Sequence, residues 1–306
     1  MKLTDRFDKG EYVITSEVGP AKGCLRRDEA EAPPDLVREA LEIQDYVHAI
    51  NVTDNQSAVM RAGSLAAAVL LSRHGIDPVY QVTCRDRNRI ALQSDLLSAC
   101  SLGIDNVLCI TGDYTSLGDH RSAKSVFDID SVHLLKVARG LNEGRDMEDH
   151  ALTRATALAL GAVVNPNFEP LDLQLMKMEK KIEAGARFFQ TQAVYDPRIY
   201  ERFARKVEGF GVPVQLGVVT VKSARMGRFM NDNVSGITVP DWIINEMGSV
   251  DKAGRKARAI EITERLIREM GPMAQGIHFM PLGWSDVVAK VVTAFGGRDR
   301  MTALAN

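Results

Sequence analysis

Residues 79–112 read VYQVTCRDRNRIALQSDLLSACSLGIDNVLCITG. An apolar run at 79–84 (VYQVTC), a helical stretch over about 88–102 and a second apolar run at 106–112 (NVLCITG) form one strand–helix–strand unit. Both runs are apolar or β-branched nearly throughout, as parallel strands covered on two faces require. The same unit recurs in both directions. Upstream, runs at 12–17 (YVITSE) and 50–53 (INVT) precede helical segments over 34–49 and 56–73. Downstream, a helix runs from Asp130 to about Arg139, and a charged helix over 170–185 follows the run at 159–165 (ALGAVVN). Further runs lie at 187–192 (RFFQTQ), 213–219 (PVQLGVV) and 275–280 (QGIHFM), with extra helix at 240–270.

Eight strands separated by helices predict a parallel sheet with crossover helices. An open doubly wound sheet alternates in the same way. The count of eight, the length of 306 residues and the lack of a Gly-rich dinucleotide turn after the first strand favour closure. The expected fold is α/β, a (β/α)8 TIM barrel, with residues 1–306 forming one domain.

Composition narrows the partners. A net charge of -2 and a pI near 6.3 argue against nucleic acid and anionic membrane surfaces. No apolar run approaches the ~20 residues of a membrane span, and the opening MKLTDRFDKGEY is too polar for a signal peptide. Cysteines at 24, 84, 100 and 109 lack CxxC spacing, which speaks against zinc and against a disulfide framework and suggests a reducing, cytoplasmic setting. The six histidines form neither HxxxH nor HExxH, and no GxSxG or P-loop occurs.

In such a barrel the chemistry belongs at the C-terminal rim. The polar residues that close the strands are Glu17, Thr53, Thr83, Asp113, Asn165, Gln192 and Lys222. A carboxyl at a partly desolvated strand end suits a general acid, so Glu17 is a candidate; the alternative is an ion pair across the rim with a residue such as Arg26. Asp113 follows Thr111 and Gly112, a small-residue approach beside a carboxylate, or else caps a turn. Asn165 and Gln192 offer a donor and an acceptor each, which fits a heterocycle edge or a satisfied buried amide equally well. Lys177, Lys180 and Lys181 read first as a solvated face, with one lysine able to reach a phosphate.

In chain order these strand ends resemble the catalytic barrel of the methylenetetrahydrofolate reductase family. The matching stretches are TSEVGP (15–20), NVTDN (51–55), VTC (82–84), GD (112–113), FDIDSVHLL (127–135), KIEAGARFFQTQAVYD (181–196) and GVVTVKSARMGRFM (217–230). The resemblance covers almost the whole chain. It implies reduction of 5,10-methylenetetrahydrofolate to 5-methyltetrahydrofolate by hydride transfer from a reduced flavin. Electrons would come from NAD(P)H or a partner electron-transfer subunit.

The resemblance makes Glu17 the acid that protonates the substrate N10. Asp113 would sit beside pterin and flavin, and Gln192 would bind the pterin. Thr53, Gln81, Thr111, Gly112, Asp113, Phe127, Asp128, Asn165 and Lys181 fall where the family holds its flavin, and Thr53 also borders the substrate. Gln81 stands where some members have His, Asn165 where some have Tyr and Thr111 where some have Arg. The last exchange removes a potential phosphate partner, which leaves FAD against FMN open; the resemblance places FAD first, with FMN as the alternative. Ala224 occupies the place of a Phe that meets nicotinamide and folate. An oligomer is the expected assembly. The alternatives are a folate-dependent methyl-transfer domain and a flavin-binding subunit of an electron-transfer complex.

Overall fold

Eight parallel strands close on themselves in the computed structural model, which describes residues 1–25, 33–301 and 304. The strands are β1 (Val13–Val18), β2 (Ala49–Val52), β3 (Pro78–Thr83), β4 (Asn106–Ile110), β5 (Ala159–Val164), β6 (Phe188–Ala193), β7 (Val214–Val219) and β8 (Gly276–Met280). They pair in chain order, and β8 returns to β1 through Val13–Gly276 and Thr15–His278. The expected (β/α)8 barrel is therefore the fold found, with strand bounds within two residues of those read from the sequence.

The helices are α1 (Leu3–Asp8), α2 (Asp35–Ile43), α3 (Ser64–Arg73), α4 (Arg89–Ser101), α5 (Ser131–Asn142) and α6 (Leu171–Glu183). They continue with α7 (Pro197–Val207), α8 (Ala224–Asn233), α9 (Asp241–Gly248), α10 (Arg255–Met270), α11 (Ser285–Ala294) and α12 (Arg298–Met301). No described helix is long and apolar enough to cross a membrane.

Three helical expectations need correction. The segment expected to be helical from 56 becomes α3 only at Ser64, because Asn55, Ser57 and Ala58 take φ of 46°, 56° and 57°, which no α-helix accommodates. The helix expected over 34–49 stops at Ile43 and tightens into a 3₁₀ turn, Gln44–Tyr46. The extra helix at 240–270 is two helices, α9 and α10, with Pro240 at the N-cap of α9.

The period-two alternation of the strands sorts the barrel interior into layers. At the N-terminal end, Val13, Ala49, Val79, Leu108 and Phe188 form an apolar plug with Leu3 and Phe7 of α1. The Leu3 N–H donates to Asn106 Oδ1 at 2.7 Å, so α1 seals this end of the barrel. The next layer turns polar on five strands, with Thr15, Asn51, Gln190, Gln215 and His278 all buried. Outward-facing Ile14, Ile50, Tyr80, Leu160 and Ile277 pack into the larger shell beneath the helices.

One irregularity shapes the mouth. The β6–β7 register shifts between Gln190 and Ala193, and Gly217 fills the gap: a Cβ there would meet Thr191 O at 2.1 Å. Backbone cannot yield as a flexible side chain can. Gly217→Ala is expected to destabilise the protein by about 1–3 kcal/mol, the usual cost of overpacking a core, read as a lower urea midpoint. An unchanged midpoint would mean that the strands separate freely at this point.

Candidate active site

The third layer of the barrel faces the C-terminal mouth, and Glu17 belongs to it. Alternation along β1 points Val13, Thr15 and Glu17 inward, at successively greater height. The Glu17 side chain is only 8% exposed. Gln56 Nε2 donates to its Oε1 at 3.3 Å, and His278 Nε2 lies 3.8 Å from its Oε2. Among the described residues no Arg or Lys pairs with it; Arg26, the partner considered from sequence, lies outside them. Its hydrogen-bond donor among the described residues is the Gln56 amide, and no Arg or Lys fixes the carboxyl in a structural ion pair, a surrounding that suits proton exchange.

Beneath Glu17 lies a polar layer that the strand-end reading did not identify. Gln215 Nε2 faces the carbonyl oxygens of Val13 (3.0 Å) and Ile277 (3.2 Å) and lies 3.1 Å from Thr15 Oγ1. Gln190 Nε2 donates to Gln215 Oε1 at 3.1 Å, and Asn51 Nδ2 donates to Gln190 Oε1 at 2.8 Å. Thr15 Oγ1 is 2.9 Å from His278 Nδ1. The signal was present in the sequence as period-two spacing, since Thr15 and Gln190 stand two residues before Glu17 and Gln192.

The β2–β4 side of the mouth is stitched by two arginines. The buried Asp54 accepts from the Thr83 N–H (2.9 Å), the Thr83 hydroxyl (3.0 Å) and Arg87, which also reaches Asp95 at 3.0 Å. Arg85 is 2% exposed and donates to the carbonyls of Asn55 and Asp113, at 3.3 Å each, while forking onto Asp86 at 2.7 and 2.8 Å. Gly112 turns here with φ +92°, and a Cβ on it would meet Thr83 and Arg85 at 3.1–3.2 Å. Only glycine lets the chain turn so close to β3. Asp119 adds a latch, accepting from the Met60 N–H at 3.0 Å and from Lys22.

The remaining candidates distribute around this frame. Thr53 and Gln81 are buried at the mouth, and Thr53 Oγ1 has no partner among the described residues. Thr111 donates its hydroxyl to Ser131 at 3.0 Å, whereas the Asp113 side chain is exposed. Phe127, at φ 39°, packs edge-on against Tyr114 at 5.6 Å. Asp128 is gripped by the Arg89 guanidinium at 2.8 and 2.9 Å and by its N–H, which hold the carboxyl down to about 2.

On the far side of the mouth, Asn165 donates to Gly236 O at 2.9 Å, and Gln192 Oε1 accepts from the Ala193 N–H at 2.9 Å. Lys177 and Lys180 are exposed, but Lys181 is buried and donates to Val163 O at 2.6 Å. Burial, with Lys177 adding repulsion, brings the Lys181 ammonium down to about 8. Ala224 opens α8 against α9, its Cβ 3.7 Å from where a Cβ on Gly248 would stand. Lys222 bonds Leu282 O and lies 5.1 Å from the Trp284 ring centre.

No cluster of three or more His, Cys, Asp or Glu able to hold a metal occurs among the described residues. A groove of about 680 Å³, lined by Phe7, Tyr200, Phe203 and Val212, opens at the opposite end of the barrel and contains none of the candidate residues placed above. The chemistry-bearing residues, not that groove, define the candidate site.

A family model described as methylenetetrahydrofolate reductase matches residues 2–296. The probable methylenetetrahydrofolate reductase (NADPH) of Caenorhabditis elegans is 22% identical over 251 residues, which are 79% of this chain and 35% of that protein. The 5,10-methylenetetrahydrofolate reductase of Salmonella typhimurium is 23% identical over 173 residues, 56% of this chain and 53% of that one. The chain thus spans between about a third and about half the length of these relatives. Among solved structures, an uncharacterized protein from Clostridium thermocellum, which binds two copies of 5-methyl-5,6,7,8-tetrahydrofolic acid, superposes with a TM-score of 0.63. It is 14% identical and covers 94% of this chain and 97% of its own, a likeness of fold alone. The sequence match across nearly all of residues 2–296 places this chain in the methylenetetrahydrofolate reductase family.

Proposed function

We propose that this chain reduces 5,10-methylenetetrahydrofolate to 5-methyltetrahydrofolate, with a flavin as its bound electron carrier. The observation that carries the reading is Glu17: a carboxyl buried at the barrel mouth, bonded by Gln56, beside His278 and without an Arg or Lys partner among the described residues. Opening the five-membered ring of the substrate leaves a nitrogen, N10, that must take up a proton, and Glu17 supplies it. Gln192, with its Oε1 occupied by the Ala193 N–H, turns its Nε2 to the pterin. Asp113 keeps an exposed carboxylate at the rim, where negative charge favours the electron-poor iminium form of the substrate.

The residues present fit a flavin. Thr53 Oγ1 is a buried hydroxyl without a partner among the described residues, a group that a ligand would satisfy. Gly112 brings bare backbone to the same side of the mouth, Phe127 stands in the loop between β4 and α5, and Asn165 follows β5 on the amide side. A flavin held by these residues would supply the hydride that completes the methyl group. FAD is placed ahead of FMN. The purified chain should be yellow and release one flavin on denaturation; a colourless chain that takes up neither FAD nor FMN would overturn the reading in favour of flavin-free methyl transfer.

Glu17→Gln keeps the shape of the side chain and removes its proton. It should slow reoxidation of the reduced flavin by methylenetetrahydrofolate by roughly 10²- to 10⁴-fold, the usual worth of a general acid. Reduction of the flavin by the donor should stay within a factor of about two, since no proton from Glu17 enters that step. Equal loss in both half-reactions, followed by stopped flow, would make Glu17 a structural residue instead.

The donor is an electron-transfer partner protein rather than NADH acting alone. Ala224 packs its methyl group toward α9 and offers no ring for a nicotinamide to stack on; such a contact is worth about 0.5–1.5 kcal/mol beyond buried area. Bleaching of the isolated chain by NADH should therefore be slow and unsaturated. Fast, saturable bleaching at sub-millimolar NADH would refute the partner.

A further inference from the structure

The polar layer under Glu17 has one consistent assignment of its hydrogens, and that assignment ends at the acid. The Gln215 amide faces two backbone carbonyls, Val13 O and Ile277 O. Carbonyls only accept, so this end of the amide is the NH₂ and a flipped amide would set oxygen against oxygen. Its Oε1 then needs a donor and finds Gln190 Nε2 at 3.1 Å. That fixes Gln190, whose Oε1 accepts from Asn51 Nδ2 at 2.8 Å. Thr15 Oγ1 therefore faces two amide nitrogens that carry hydrogen and cannot accept, Gln215 Nε2 at 3.1 Å and Gln190 Nε2 at 3.2 Å.

Thr15 thus has donors on two sides and a proton of its own to place. Its remaining neighbour is His278 Nδ1 at 2.9 Å. If Nδ1 carried a hydrogen, the hydroxyl proton would be left without an acceptor among the described residues, in a fully buried place. Thr15 therefore donates to Nδ1, and the ring hydrogen sits on Nε2. That nitrogen faces Glu17 Oε2 at 3.8 Å, longer than a hydrogen bond but close enough for the N–H dipole to act on the carboxyl.

We propose that His278 is a positioning residue for the proton transfer, locked by Thr15, Gln190 and Gln215 as the neutral Nε2–H tautomer so that its N–H stabilises the carboxylate Glu17 leaves behind. In the step, the Glu17 O–H bond breaks, an N–H bond forms on the substrate, and the negative charge stays on Glu17; His278 keeps its hydrogen throughout. The role rests on Glu17 being the acid, whereas the tautomer rests on the hydrogen-bond geometry alone.

Two measurements separate these claims. In the full chain labelled with 15N-histidine, the His278 ring should show the Nε2–H pattern at neutral pH, and Thr15→Val should abolish the preference. A wild-type ring protonated at Nδ1 overturns the proposal without touching the role of Glu17. For function, the flavin-loaded variants H278N and H278Q are compared. Asparagine places its amide near Nδ1 and loses the donor to Glu17; glutamine places an N–H near Nε2. H278N should slow the folate half-reaction by up to roughly 10-fold, less than the worth of a full hydrogen bond to a charged group because the contact is 3.8 Å long, while H278Q recovers most of that loss. Equal rates in the two variants would reduce His278 to packing, and if Glu17→Gln is itself without effect, the acid assignment is the part that fails.

Discussion

A buried amide with two backbone carbonyls on one side has a single way to point. Gln215 is in that position: the carbonyls of Val13 and Ile277 belong to β1 and β8, the strands whose pairing closes the barrel. Barrel closure and amide orientation are therefore one constraint. Interiors of low polarity make each unsatisfied donor or acceptor expensive, so the orientation propagates through Gln190, Asn51 and Thr15 instead of relaxing locally. The interior of this barrel is thus layered in chemistry as well as in space, with an apolar plug sealed by α1, a middle layer of interlocked amides and a mouth that carries the carboxyl.

The mouth is rigid on one side for an electrostatic reason. Arg85 and Arg87 are consecutive odd residues beyond β3, and each ties loops from different strands together. Arg87 bridges Asp54 and Asp95, while Arg85 joins the turns at Asn55 and Asp113. Burying guanidinium groups is unfavourable unless every charge is matched, and here each finds a carboxylate beside it. The result is a fixed wall formed by the β2, β3 and β4 loops, against which Gly112 turns without a side chain. The opposite wall is built from amides, Asn165 and Gln192, whose bonds are neutral.

Much of this was legible in the chain. The eight apolar runs translate into eight strands because a strand buried on both faces must be apolar or β-branched along its length, and no other element of that length has that need. Glu17 and Thr53 were readable as candidates because each closes such a run, whereas Gln81 entered only through the family resemblance. The start of α3 was not, since the segment from Gln56 has ordinary helix-forming composition. What prevents a helix there is the positive φ of Asn55, Ser57 and Ala58, imposed where the loop packs on Gly118, whose Cβ position falls 1.8 Å from Ala58 O. Lys181 shows the same limit: by sequence it is one lysine of a charged run, and only the packing of α6 on β5 buries it.

By itself, then, the sequence determined the strand and helix succession, the closed barrel, the polar strand ends and the likeness to one reductase family, since all of these follow from local composition, spacing and order. Tertiary structure alone decided which polar residues meet. Thr15, Asn51, Gln190, Gln215 and His278 come from five different strands, up to 263 residues apart, and nothing local to any of them indicates the others. The physical reason is closure: only when β8 pairs with β1 do the inward side chains of distant strands share one small, water-excluded space, where a hydrogen bond must be made with whatever lies opposite.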